Sequence, residues 1–174
     1  MKQFSIGGLM LLSSLLLSFY VMPKEKVNWI SFAELNKHYA QKPKPIIIDL
    51  YTSWCGWCKV MDKKTYGDKR VAAYINEHYY AVKFNAEGKD SVWFNKAGYG
   101  YNKQYRTHDV AIMLSMGDLS YPNSVFLEQI DANPAPIAGY LTVAEIETPL
   151  RYFVEKNEGE SFADFSKRMK PLWK

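Results

Sequence analysis

Residues 46–59 read Ile46-Ile47-Ile48-Asp49-Leu50-Tyr51-Thr52-Ser53-Trp54-Cys55-Gly56-Trp57-Cys58-Lys59: an apolar run, a C-x-x-C pair and the start of helix-forming sequence. The first six form a short, β-branched run without strict alternation, which predicts a strand covered on both faces of a sheet. Two cysteines three positions apart at a helix start share one turn, so their sulfurs can approach closely enough to form and release a disulfide. The helix N-terminus supplies unpaired N–H groups and the positive end of a dipole, which favours a thiolate at Cys55. Cys55 is therefore the expected nucleophile and the more exposed sulfur. Cys58, one turn further, is the expected resolving thiol, which attacks the mixed disulfide and releases the product.

The rest of the composition narrows the chemistry. Cys55 and Cys58 are the only two cysteines in 174 residues, so neither a structural disulfide elsewhere nor a four-cysteine zinc site can be built within one chain. Lys59 stands where a c-type haem attachment would need histidine, and His38, His78 and His108 show no ligand spacing, so neither a metal nor a cofactor is expected. The chain is 48% hydrophobic and 16% aromatic, a globular composition with room for one core. Its formal charge of +4 is spread along the sequence without a basic stripe interleaved with aromatics, so no nucleic-acid partner is expected.

Outward from the cysteines, the pattern alternates helix and strand. An uncharged segment at 3–23 follows Met1-Lys2 and precedes Lys24-Glu25-Lys26, reading as a cleaved secretory signal or an uncleaved membrane anchor. Either sends the domain at 24–174 out of the cytoplasm. Ser31 and Glu34 stand in capping-box spacing ahead of a helix that should end before Pro43. Asp68 can cap a second helix with Val71, Ala72 and Ile75 on its apolar face, and Tyr80 to Asn85 reads as the next strand. Strands separated by such helices build parallel pairs. Residues 86–120, rich in Gly and Tyr, are expected to hold a surface insertion and a helix from Thr107 or Asp109 to Met116. Asp131 to Pro136 reads as a turn and Ile137 to Leu141 as a strand, the return arm of an antiparallel hairpin. Thr142 and Glu145 open a helix carrying Ile146, Leu150, Phe153 and Val154 inward, and Ser161 starts a last short one.

Trp54-Cys55-Gly56-x-Cys58-Lys59, with Asp49 six positions before the first cysteine, resembles the active-site region of the thioredoxin superfamily. It is similar in particular to exported thioredoxin-like domains such as the C-terminal domain of the periplasmic thiol:disulfide interchange protein. The resemblance implies an α/β thioredoxin fold, a central mixed sheet flanked by helices, here with the 86–120 insertion before the cis-proline strand. It casts Asp49 as the buried acid that exchanges a proton with the resolving cysteine and Lys83 as its basic neighbour. Burial without full compensation should raise the Asp49 pKa. Tyr121-Pro122 resembles the superfamily's cis-proline, where a client strand pairs with the backbone. Trp54 matches a family aromatic, and Gly56 and Trp57 fill the intervening dipeptide, Trp57 replacing the usual proline or histidine.

The expected function is thiol:disulfide exchange in the cell envelope, periplasmic or otherwise extracytoplasmic. The reducing direction is favoured because Gly56-Trp57 adds no cation to stabilise the thiolate. The partners would be disulfide-containing clients and an upstream thiol donor, with residues 3–23 as signal or tether. Two other classes fit the same pair: a carrier of a soft metal such as Cu(I), and a noncatalytic thioredoxin-fold interaction module.

Overall fold

The computed structural model describes residues 26–173, so the signal or anchor expected at 3–23 lies outside the described residues. Strand β1 (Trp29–Ile30) leads into α1 (Phe32–Gln41), β2 (Ile46–Tyr51), α2 (Gly56–Lys64), α3 (Lys69–His78) and β3 (Tyr80–Asn85). Then come β4 (Val92–Phe94), β5 (Ala97–Tyr99), β6 (Tyr101–Asn102), β7 (Thr107–His108) and α4 (Asp109–Leu114). The chain closes with β8 (Asn123–Leu127), β9 (Ala135–Ala138), α5 (Val143–Glu155) and α6 (Phe162–Arg168).

Five strands form one sheet in the order β1-β3-β2-β8-β9. β1 and β2 run parallel to β3, whereas β8 runs antiparallel to β2 and to β9. β2 thus lies at the centre, and its alternation assigns its side chains. Ile46, Ile48 and Leu50 face Phe32 and Leu35 of α1 and Val110 and Leu114 of α4. Ile47 faces the opposite layer, with Met61 of α2, Val71 and Ile75 of α3, and Ile146 and Leu150 of α5. Burial on both faces explains the unbroken apolar run, and truncating one of these isoleucines to alanine costs roughly 2–5 kcal/mol.

The helix starts follow from local chemistry. Ser31 with Glu34 and Thr142 with Glu145 form reciprocal capping boxes, while Asp68 and Ser161 cap α3 and α6 through their side chains. Three expectations need correction. The return strand begins at Ala135 rather than Ile137, taking in Pro136, because β9 pairs only with β8 and an edge strand tolerates a residue without an N–H. Helix α4 starts at Asp109, the second of the two expected starts, because Thr107 and His108 pair with β6 and His108 serves as the cap, its ring nitrogen accepting from Val110 N–H at 3.2 Å; it ends at Leu114 rather than Met116, where the backbone has turned to φ +54°. Residues 86–120 also hold two hairpins, β4–β5 and β6–β7, beyond the single helix expected there.

Beyond α5, Glu147 is fully buried and fixes the C-terminus. Its carboxylate accepts the backbone N–H groups of Leu172 (2.7 Å) and Trp173 (2.9 Å) and one N–H of Arg151 (3.0 Å).

Candidate active site

Cys55 occupies the N-cap of α2, joined to Cys58 in a disulfide. The sulfur of Cys55 accepts the Cys58 backbone N–H at 3.0 Å, while the Cys55 N–H donates to the Thr52 carbonyl at 3.2 Å. A cap oxygen would satisfy the same orphan N–H; here the acceptor is sulfur, and on reduction that contact would stabilise the thiolate. The expected difference in exposure is absent: both cysteines are 4% exposed, because the disulfide draws Cys55 against the first turn.

Below the helix lies a charged cluster on the same sheet face as Ile47. Period-two geometry turns Asp49 to that face, and the parallel register sets Lys83 directly opposite it on β3. Lys83 Nζ donates to Asp49 Oδ2 at 2.6 Å and also to Asp62 Oδ1 of α2, so one ammonium links strand and helix. The rings of Tyr51 and Trp29 lie 4.9 and 5.3 Å from that ammonium and add cation–π attraction. Asp49 is 2% exposed, and burial pushes its pKa up to about 6 despite the attraction of Lys83. Its Oδ1 has no partner, which leaves one oxygen able to take a proton while Oδ2 keeps the ion pair. For Lys83, burial works against the charge, yet Asp49 and Asp62 outweigh it and hold the ammonium above its ordinary pKa. Tyr66 completes the layer, hydrogen-bonded to Ser124 Oγ at 3.0 Å; burial and the neighbouring Asp49 charge keep it a neutral phenol.

Around the disulfide the surface is aromatic. Trp54 and Trp57 are 68% and 62% exposed, so neither belongs to the core. Trp54 Nε1 donates to Glu87 Oε1 at 2.9 Å, and its ring meets Tyr121 edge-on at 6.3 Å. Trp57 leans on Tyr140 at 5.5 Å. The Tyr121-Pro122 peptide bond is cis, as the resemblance implied. Pro122 is clasped by Gly139, whose N–H donates to the Pro122 carbonyl at 2.8 Å; Gly139 has φ +97°, a left-handed turn that glycine enters without strain. Trp57, Tyr121, Pro122 and Tyr140 line a shallow cleft of 220 Å³. A second, of 450 Å³, runs between Trp54, Glu87, Arg106 and Tyr121. Gly56 has open space where a side chain would project.

The residues singled out in the sequence thus fall into two groups. Cys55, Gly56, Cys58, Trp54, Trp57, Tyr121 and Pro122 belong to the rim of the disulfide, and Asp49 with Lys83 to the layer beneath α2. Asp62, Glu87 and Tyr140 were not foreseen. Asp62 stands four residues after Cys58, one helical turn along the same face, and that spacing was the signal available. Glu87 and Tyr140 reach the site through tertiary contacts that no local pattern encodes. Among the described residues there is no group of three or more His, Cys, Asp or Glu side chains able to hold a metal ion, and no helix is long and apolar enough to cross a membrane.

A mixed five-stranded sheet with a C-x-x-C disulfide capping the helix after its central strand, opposite a cis-proline, defines a thioredoxin-superfamily protein. The chain belongs to the Thioredox_DsbH family, described as a protein of unknown function, DUF255, whose model matches residues 12–155. It is 37% identical over 46 residues to the thiol:disulfide interchange protein DsbD of Pectobacterium atrosepticum, a stretch that is 26% of this chain and 8% of that protein. The chain therefore matches less than a tenth of the length of that relative. Among solved structures it resembles DsbH oxidoreductase, with a TM-score of 0.52 at 18% identity over 76% of this chain and 87% of the other. A thioredoxin-fold protein from Helicobacter pylori is similar too, with a TM-score of 0.51 at 14% identity over 86% and 90% of the two chains. At such identities the likeness concerns the fold.

Proposed function

We propose that this chain is a thiol:disulfide oxidoreductase that reduces protein disulfides outside the cytoplasm. The observation that carries the reading is the Cys55 sulfur at the N-cap of α2, accepting the Cys58 N–H, above a buried carboxylate with an elevated pKa. In the reduced protein the Cys55 thiolate attacks one sulfur of a client disulfide. The client's other sulfur leaves as a thiolate and takes a proton from water. Asp49 Oδ1 accepts the Cys58 proton, the Cys58 thiolate attacks Cys55, and the second client sulfur departs. Two electrons pass to the client, leaving the Cys55–Cys58 disulfide. Lys83 holds Asp49 in place and keeps its charged form accessible, so that the carboxylate can both take and return a proton.

Client backbone pairs with Tyr121-Pro122, and Trp54, Gly56 and Trp57 form the contact surface around the cysteines. The segment at 86–120 contributes Glu87 and Arg106 to one of the two clefts, so it takes part in choosing clients. Residues 1–23 serve as export signal or inner-membrane anchor for the domain at 24–174, and an upstream thiol donor restores the dithiol. The names of the DsbD relative and of the DsbH oxidoreductase agree with this chemistry.

The test is reduction of insulin by the prereduced protein, with Cys55→Ser and Cys58→Ala variants. Activity should vanish in the first, and the second should trap mixed disulfides with envelope proteins. Retention of Cu(I) by the reduced protein with no insulin reduction would favour a metal carrier. A redox couple near the strongly oxidising end, ~−120 mV, would remove the reductase direction.

A further inference from the structure

Beside the active-site helix lies a groove that the exchange chemistry does not use as a binding surface. Its volume is 670 Å³, and it shares no lining residue with the two clefts around the disulfide. Lys26, Lys59, Lys63 and Lys69 line it together with Lys83, while Asp62 is the acid among its lining residues. Asp62 is already committed to Lys83. The formal charge of the lining side chains is +4, five lysines against one aspartate, with Asp49 behind Lys83 as a second acid on that ammonium. A concave surface lined by one sign of charge focuses its field into the opening.

Lys26, Lys59 and Lys63 have no carboxylate partner among the described residues, and crowding like charges raises the energy of the folded state. Between the ammonium groups the wall is apolar, made of Val27, Trp29 and the lysine stems. A single carboxylate or phosphate would leave most of that space unfilled. An extended segment carrying several carboxylates with apolar side chains between them satisfies both the charge and the walls. The groove also begins where the exchange centre ends: Lys59 directly follows Cys58. The groove and the disulfide thus share helix α2, whose Lys59, Asp62 and Lys63 form part of the groove wall.

We propose that this groove is the docking site for an acidic peptide segment of a redox partner protein. It attracts the partner from solution and orients it before sulfur meets sulfur, the usual role of charge complementarity at transient interfaces. Assigning the partner rests on the exchange reading given above; binding of the segment does not depend on it.

The experiment uses the full chain in its disulfide form and a fluorescein-labelled, cysteine-free peptide of alternating Glu and Leu, followed by anisotropy. Binding should weaken as salt rises. The variant K26E/K63E should bind roughly tenfold more weakly, two attractive contacts having become repulsive. The variant K37E/K42E alters lysines at α1, which packs on the other face of the sheet, and should bind as the parent does. Circular dichroism and thermal melts of both variants establish that they are folded. No binding by the parent, unchanged binding by K26E/K63E, or equal loss in K37E/K42E would overturn the proposal. Complete displacement by inorganic phosphate at constant ionic strength would overturn it as well, assigning the groove to a small anion. Because the peptide carries no cysteine, failure to dock and failure to reduce insulin are read separately.

Discussion

Replacing Asp49 by asparagine should make the protein more stable at neutral pH and less competent in exchange. Burial raises the Asp49 pKa from 3.8 to about 6. At 1.36 kcal/mol per unit, that corresponds to about 3 kcal/mol of folding free energy. The sign follows from proton occupancy. Between pH 3.8 and about 6 the folded state holds a proton that the unfolded chain has released, so stability from this group is complete below 3.8 and is lost as pH rises through about 6. The asparagine side chain of D49N has no charge to desolvate and no such slope, and Lys83 keeps Asp62 as a partner. The assay is urea denaturation of the disulfide form of both proteins across this range. The stability of D49N relative to the parent should rise by about 3 kcal/mol from the acid end to neutrality. Taking this difference removes the opposite, ordinary contributions of carboxylates such as Glu155, whose pKa is lowered, chiefly by its hydrogen bond from Arg151. In stopped-flow exchange the mixed disulfide should persist longer in D49N, which lacks the proton acceptor proposed above for Cys58. A stability difference that is flat through the window, or that falls towards neutrality, would refute the assignment of a strained, charge-carrying Asp49.

Glu147→Ala leaves two backbone N–H groups without their acceptor and Arg151 short of one, a loss of about 3–5 kcal/mol measurable as a lower urea midpoint. The same variant should show red-shifted emission from Trp173, now 8% exposed. Trp57→Ala should lower kcat/KM for insulin about tenfold, through loss of an aromatic contact surface, while unfolding shifts by no more than about 0.5 kcal/mol. Asp68→Ala removes the side-chain cap on Arg70 N–H at 2.9 Å and should cost about 1 kcal/mol in thermal or urea unfolding.

What the sequence discloses of this fold is what local chemistry decides. Ser31 and Glu34 find each other within one turn, as do Thr142 and Glu145, so helix starts are readable without the rest of the chain. Strand β2 is readable because a surface on both sides of it demands apolar residues nearly throughout. Asp49 is informative for the same reason, as the exception in that run. The two-residue strand β1 carries no periodicity to detect, and its place is fixed only by pairing with β3. Pro136 resembles turn chemistry because its neighbours do, whereas edge position is a property of the whole sheet. Asp62 reads as one more charge on a helix until Lys83 reaches it from another strand, and Glu147 reads as solvated until the C-terminus folds over it.

The carbonyl of Ala86, just beyond β3, accepts both Thr107 Oγ1 at 2.8 Å and His108 N–H at 2.7 Å, while the Ala86 N–H donates to Tyr51 at 2.8 Å. One residue therefore closes the base of the excursion through β4, β5 and β6 and ties it to the end of the central strand. Closing a loop at its neck separates its length from the stability of what lies outside, since added residues raise the closure entropy only logarithmically. The stretch between Glu87 and Arg106 is also pinned at its middle, where Phe94 is buried against Phe32 of α1 and the Trp93 carbonyl accepts from Asn36 Nδ2 at 2.6 Å. Changes of length on either side of that anchor should leave the disulfide, the carboxylate below it and the cis-proline opposite in register, whereas loss of Phe94 should not.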